Sequence, residues 1–229
     1  MIKKILPKTA LISVSNKSGV LTFAKLLQKN GVKIFATGGT ASALKGAGIR
    51  VSKVSSISRF PEIFGGRVKT LSPYISGGIL GQRDKDKAEA KKNNVTWVDL
   101  VVCNLYPFSD VAKNPASTMD EKIENIDIGG PTMIRAAAKN FKWVGVVVSP
   151  KDYRSVGTAI SGGGLTEKRR FNLAKKAFSH CAEYDQTIFE TLSEKAPKHV
   201  SLRYGENPHQ QAFVVKGDAP SSLGVPQAK

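Results

Sequence analysis

Residues 9–40 read TALISVSNKSGVLTFAKLLQKNGVKIFATGGT, and their pattern carries the fold class. Thr9–Ser15 is a short apolar run that favours a strand and ends in small polar residues. Across Gly19–Asn30 the apolar residues Val20, Phe23, Ala24, Leu26 and Leu27 recur at helical spacing, which predicts one buried helix face. Gly31 ends that helix, a usual place for glycine. Val32–Ala36 is a second strand, Thr37-Gly38-Gly39-Thr40 a turn, and Ala41–Ala47 a short helix. Further on, Val98–Cys103 and Trp143–Val148 are continuous apolar runs, as in a parallel sheet buried on both faces. Strands alternating with helices predict an α/β layered fold with a central, mainly parallel sheet flanked by helices.

Thr166–Leu192 is the longest helical stretch, and Phe171, Ala174, Phe178, Cys181, Ile188 and Leu192 lie on or near one stripe, expected to be core. On it Cys181 reads as a buried thiol, and His180 as exposed or held by packing. From about Ser193 the character changes: Pro197, Pro208, Pro220 and Pro226, with Gly205, Gly217 and Gly224, break up any long element. The expected organisation is one domain over 1–195, followed over 196–229 by a linker and the truncated start of another domain.

The net charge of +17, from 35 basic and 18 acidic residues, raises nucleic-acid binding as a candidate. The lysines are spread over most of the chain without interleaved aromatics, so stretches such as Lys85–Lys92 and Lys168–Lys176 read as solvated faces. No nucleic-acid partner is expected, whereas a local positive funnel for an anionic substrate is. No apolar run approaches the roughly 20 residues of a membrane span, and the start lacks the pattern of a signal peptide, so the expected setting is cytoplasmic with no membrane partner. Two cysteines and three scattered histidines make neither a disulfide framework nor a metal-ligand spacing.

Chemistry is expected at the carboxyl ends of the strands, where open α/β sheets hold their ligands. After the first strand come Ser13, Ser15, Asn16 and Lys17, then Gly19; after the second come Thr37, Gly38, Gly39 and Thr40. Both loops enter helices, whose first N–H groups and flexible glycines suit a phosphate. Arg67-Val68-Lys69-Thr70 is a third basic segment, and Asn104 and Tyr106 leave a buried strand at the same edge. Ile126-Asp127-Ile128-Gly129-Gly130-Pro131 places an Asp and two glycines before a helix over Thr132–Asn140 that carries Arg135 and Lys139. Asp127 is there as a helix cap, as a catalytic group, or as both.

With these residues assembled, the sequence resembles the bifunctional AICAR transformylase/IMP cyclohydrolase family. The shared segments are SVSNKSG (Ser13–Gly19), ATGGTA (Ala36–Ala41), FPEIFGGRVKTL (Phe60–Leu71), CNLYPF (Cys103–Phe108), NIDIGGPTMIRAAAKN (Asn125–Asn140), KAFSHCAEYD (Lys176–Asp185) and LRYGENPHQ (Leu202–Gln210). The match is collinear over nearly the whole chain.

The resemblance implies a methylglyoxal-synthase-like fold, similar also to the regulatory domain of carbamoyl-phosphate synthetase. It implies a cyclic-amidine hydrolase activity, the dehydrating closure of 5-formamidoimidazole-4-carboxamide ribotide (FAICAR) to IMP, without cofactor or metal. Positions then expected to hold the ribotide are Ser13, Ser15, Asn16, Lys17, Thr37, Gly38, Gly39, Thr40, Arg67, Thr70, Cys103, Asn104, Ile128 and Gly129. Those expected near the chemistry are Lys69, Tyr106, Asp127 and Lys139.

In that expectation Asp127 is a base or orienter, Lys139 the leading proton donor and acceptor, and Lys69 and Tyr106 polarise the formyl oxygen. Backbone N–H groups around Ile128 and Gly129 would form an oxyanion hole. Ser72 and Ser76 stand where the family usually has His, and Asn16 where Asp is frequent. LRYGENPHQ is similar to the opening of the transformylase domain, with Arg203 and Tyr204 facing that domain's ribotide. The rest of that domain, whose co-substrate is 10-formyltetrahydrofolate, is not in this chain, so formyl transfer is not expected of it. The parent is expected to be a homodimeric bifunctional enzyme of purine biosynthesis, and this chain a fragment of it. A methylglyoxal-synthase-like lyase and a non-catalytic nucleotide sensor are the competing readings, set apart by dihydroxyacetone phosphate turnover and by IMP binding without turnover.

Overall fold

A computed structural model describes residues 4–193 together with the backbone of 199–202 and 212–215. Seventeen helices and strands follow one another among them. They are β1 (Thr9–Val14), α1 (Val20–Lys29), β2 (Lys33–Ala36), α2 (Gly38–Gly46), β3 (Ser52–Lys53), α3 (Ser55–Ser58), α4 (Pro73–Leu80), α5 (Lys87–Lys92) and β4 (Leu100–Asn104). The remainder are α6 (Phe108–Lys113), α7 (Met119–Glu124), α8 (Gly129–Lys139), β5 (Gly145–Val147), α9 (Tyr153–Ser161), α10 (Glu167–Leu192), β6 (His199–Leu202) and β7 (Ala212–Val215). The expected α/β class is what is found: a five-stranded sheet in the order β3-β2-β1-β4-β5, parallel throughout and flanked by helices.

The chain divides into two compact units, Met1–Asp185 and Gln186–Lys229. The second contains the last turns of α10 and the antiparallel pair β6/β7, with His199 opposite Val215 and Leu202 opposite Ala212. The prolines and glycines expected to break up the tail, and Arg203 and Tyr204, lie outside the described residues.

The central strands are buried on both faces, with Ala10, Leu11, Ile12, Leu100, Val101 and Val102 all fully inaccessible. This explains their unbroken apolar runs. Helix α1 turns Val20, Phe23, Ala24 and Leu27 inward. Its Leu26 instead meets α9, where a Cβ on Gly157 would lie 2.9 Å from the Leu26 methyl, while Phe23 stacks on Tyr153 at 4.7 Å. Gly31 has φ +75°, a left-handed conformation costly for other residues, and so closes α1 as the sequence predicts.

Two helices begin earlier than expected. The segment read as a turn, Gly38-Gly39-Thr40, is the first turn of α2, with Thr37 as the flanking residue. Helix α8 starts at Gly129, so Pro131 lies inside its first turn, where its missing N–H costs nothing.

The seam of α10 is the clearest departure. Its buried residues are Arg170, Leu173, Ala174, Ala177, Cys181 and Tyr184, whereas Phe171, Phe178 and Leu192 of the expected stripe are exposed and Ile188 is half-buried. A fully buried arginine displaces the phenylalanines because the loop before β5 ends in free carbonyls. Nε and Nη2 of Arg170 donate to Phe141 and Lys142 oxygens at 2.8 Å, and Nη1 donates to Leu165 O. Periodicity does not register this, because it weighs apolarity and not the hydrogen-bond needs of a neighbouring loop. Cys181 is buried as expected, which pushes its thiol up to about 11.

Removing the guanidinium would strand the carbonyls of Phe141 and Lys142 at about 1–3 kcal/mol each, Leu165 O keeping the Ile5 N–H. Arg170→Ala is therefore expected to lower Tm by roughly 6–12 °C, for a loss near 3 kcal/mol in a chain of this size. Differential scanning fluorimetry beside Arg170→Lys checks this, the lysine variant recovering part of the loss.

Candidate active site

The carboxyl ends of β1, β2 and β4 open onto one cavity of about 680 Å³. Its walls are the β1–α1 loop (Ser13, Ser15, Lys17), the start of α2 (Thr37, Gly39, Thr40), the segment Gly65–Thr70, the end of β4 (Asn104, Tyr106), and Ile123–Gly130. Of the residues expected to bind or react, fourteen line it, namely these β1, β2 and β4 residues with Arg67, Lys69, Thr70, Asp127, Ile128 and Gly129.

Much of the loop chemistry first shapes the protein. Thr40 Oγ1 donates to Val14 O and accepts from Val14 N–H, both at 3.1 Å, pinning α2 to the end of β1. Thr37 Oγ1 donates to Ser13 Oγ at 2.9 Å. Asn104 Oδ1 accepts from the N–H groups of Ser15 (2.7 Å) and Asn16 (3.0 Å), and its Nδ2 returns a bond to Asn16 O. Asn16 Oδ1 caps the same turn by accepting from Ser18 N–H. Asn104 thus holds the β1–α1 loop in shape, and Lys17 stays exposed, its Nζ reaching Ser15 O at 3.5 Å. Thr37, Gly39 and Thr40 at the start of α2 line the same cavity as Lys17, a combination that suits a phosphate.

Asp127 lines the same cavity. Its Oδ1 accepts from Gly130 N–H at 2.8 Å, so it does cap α8, and its own N–H donates to the Tyr184 hydroxyl at 2.8 Å. Burial raises the pKa of its carboxyl, against the Gly130 amide, the half-buried Lys69 ammonium and the Gly129 amide, which lower it. Packing leaves no room for larger residues: a Cβ on Gly129 would collide with Thr70 Oγ1, and one on Gly130 would sit 2.6 Å from both Asp127 Oδ2 and a Leu105 methyl. The amides expected to serve as an oxyanion hole are therefore drawn to Asp127 itself.

Four expected residues do not line the cavity. Gly38 and Asn16 lie beside residues that do. Cys103 is buried in β4 behind Asn104, and desolvation pushes its thiol far up. Lys139 is exposed in the last turn of α8, while the cavity meets the helix at Gly129, Gly130 and Met133. Six residues of helix separate Met133 from Lys139, about 9 Å at 1.5 Å per residue. Asp127 and Lys139 flank one helix in the sequence, which does not say which of its ends faces the sheet edge. His180 is half-buried with Nε2 unpaired, burial lowers its pKa, and it does not line the cavity.

Ser72 serves the fold: it is buried, caps α4 by accepting from Tyr74 N–H at 3.2 Å, and donates to Ser58 O at 2.9 Å. Sequence reasoning missed Glu124, which lines the cavity and forms an ion pair with Arg67 across its mouth. It ends α7, and the Thr118–Glu121 capping box at the start of α7 is the sequence signal that reveals the helix. Tyr184, which orients the Asp127 backbone, stands in the sequence only as one member of KAFSHCAEYD, with nothing local to mark its role.

Known proteins resemble the chain over nearly all its length. Residues 19–132 match the model of the MGS-like domain, and residues 137–229 that of the AICARFT/IMPCHase bienzyme. The bifunctional purine biosynthesis protein PurH of Staphylococcus aureus strains Newman and USA300 is 48% identical over 91% of this chain, and the chain spans 42% of the length of those relatives. A solved structure, "Crystal structure of ForH", superposes with a TM-score of 0.73 at 34% identity, covering 82% of this chain and 100% of that one. Among the described residues, no helix is long and apolar enough to cross a membrane.

The Arg67–Glu124 pair is largely exposed, at 68% and 55% of the two side chains, so it holds Arg67 by about 0–1 kcal/mol at most. Glu124→Gln is expected to free Arg67 and tighten binding of ribose 5-phosphate by up to about fivefold. Isothermal titration at low salt reads this directly, and unchanged affinity would show that the pair does not compete with the anion.

Proposed function

The chain belongs to the AICARFT/IMPCHase bienzyme family and is a homologue of bifunctional purine biosynthesis proteins, and from that membership we propose that its sheet-edge cavity closes FAICAR to IMP. The observation that carries the reading is the convergence of Lys69, Tyr106 and Asp127 on one cavity that Lys17 and the start of α2 also line. Lys17, the first turn of α2 and Arg67 hold the ribotide phosphate, and the base lies towards Asp127 and Ile128.

Ring closure joins the carboxamide nitrogen to the formyl carbon of the same ribotide. The carboxamide nitrogen and the formamide N–H each give up one proton, and the formyl oxygen leaves as water. Binding in the reactive rotamer supplies proximity. Asp127, held by the α8 amides, takes the proton of the attacking nitrogen, and the Lys69 ammonium polarises and protonates the departing oxygen. Tyr106, half-exposed at the rim, orders the base and the leaving oxygen. Lys139 plays no part in this scheme, because its place on α8 keeps it from the cavity. The reaction needs no cofactor in this reading, and 10-formyltetrahydrofolate belongs to the parent's other activity. The parent acts in the cytoplasm as a homodimer, and the domain of 1–195 carries the cyclohydrolase.

The test is ultraviolet-monitored conversion of FAICAR to IMP by the purified chain. Lys69→Ala and Asp127→Asn are each expected to lose about 10²–10⁴-fold in turnover, and Lys139→Ala to stay near wild type. A dead Lys139→Ala with Lys69→Ala active would reverse the assignment.

The pH profile follows from the upward shift of Asp127. A base must be ionised, so activity is expected to fall as pH drops through a value above the usual carboxylate range near 4. The sign for stability is opposite: a raised folded pKa favours the protonated carboxyl, so this contribution is full at low pH and lost as pH rises through the folded value. Asp127→Asn keeps a capping oxygen and removes the charge, so its Tm at neutral pH is expected to match or exceed wild type while turnover collapses.

A further inference from the structure

The first 61 residues hold eleven of the 35 Lys and Arg residues and not one Asp or Glu; the first acidic residue of the chain is Glu62. This stretch is β1-α1-β2-α2-β3-α3, half of the sheet with its helices. At the end of that half away from the catalytic cavity is a second one, of about 580 Å³. It is lined by Gln28 at the end of α1, Lys33 at the start of β2, Lys45 in the last turn of α2, and Ile49, Arg50 and Ser52 leading into β3.

Three cations from three separate elements thus meet at one hollow with no carboxylate in its wall. Among the described residues the ion pairs are Arg67–Glu124, Arg83–Asp99, Lys142–Asp84 and Lys176–Asp152, so none of the three cations here has an acidic partner among them. The wall is tied in place: Arg50 N–H donates to Gln28 Oε1 at 2.9 Å, and Lys33 lies 5.0 Å from the Phe35 ring. Like charges gathered without counter-charge repel one another, and an anion relieves that repulsion.

We propose that this hollow is a second anion site, taking a polyphosphate group. Its chemistry differs from that of the catalytic cavity. Helices α1 and α2 present their carboxyl ends here, so helix amides do not serve it; long side chains do, around a hollow wide enough for two or three linked phosphates. A single phosphate satisfies one or two of the cations, whereas a polyphosphate spans all three. The phosphates come from a free nucleotide or from a nucleic-acid backbone. No aromatic residue lines the hollow to stack a base, so recognition is of the phosphates.

The probes are inorganic tripolyphosphate, ATP and a twelve-residue oligouridylate, titrated against the full chain at low salt. A Lys17→Ala/Arg67→Ala background weakens phosphate binding at the first cavity and keeps the result independent of the cyclohydrolase reading. Tripolyphosphate is expected to bind, and Lys33→Ala/Lys45→Ala/Arg50→Ala, all exposed positions, to weaken it at least tenfold with an unchanged circular dichroism spectrum. ATP binding within a few-fold of tripolyphosphate, with oligouridylate weaker, assigns the site to a free nucleotide. Oligouridylate binding most tightly, with a salt slope that falls by about two in the triple variant, assigns it to a nucleic-acid backbone. No tripolyphosphate binding at millimolar concentration, or equal binding by the triple variant, would overturn the proposal.

Discussion

Every pairing in the five-stranded sheet is parallel, and much of the molecule follows from that. Parallel strands cannot be joined by tight hairpins; the chain must cross back through a helix each time. All carboxyl ends therefore open on one edge and all amino ends on the other. The first edge collects loops that enter helices, with their unpaired N–H groups. The second collects the carboxyl ends of helices and the residues that start strands. The candidate active-site cavity and the hollow of Lys33, Lys45 and Arg50 occupy these two edges, and α2 contributes to both.

Asp127 shows how a helix cap comes to carry a perturbed carboxyl. Its carboxylate satisfies an N–H at the start of α8, and that bond requires glycine at 129 and 130, where Thr70 and Leu105 press close. The same packing removes water from the carboxyl and raises its pKa, against the pull of Lys69. A cap on an exposed helix would be an ordinary acid. Perturbed carboxyls in clefts are where proton transfer is commonly found. Elsewhere in the cavity lining, Thr40 and Asn104 use side chains to hold backbone, while Lys17 stays exposed.

The strands, α1 with its closing glycine, and the sheet-edge loops are all legible from apolar runs, helical spacing and glycine chemistry. So are most members of the cavity, because a strand's carboxyl end is known once the strand is known. Helix ends are less legible: Gly38-Gly39 reads as a turn from composition, yet pinning by Thr40 makes it helix. Apolarity alone places Phe171 and Phe178 in the core. Arg170 takes the seam because carbonyls distant in sequence need donors there.

Local sequence is enough to specify the layer architecture, the direction of the strands and the two phosphate-suited loops, since each depends on residues near one another in the chain. Folding in three dimensions decides the rest: that Lys69 and Asp127 line one cavity while Lys139 does not, that Glu124 pairs with Arg67, and that three scattered cations share one hollow. Most of these are meetings between segments tens of residues apart. They depend on how helices lie on the sheet, which local periodicity does not encode.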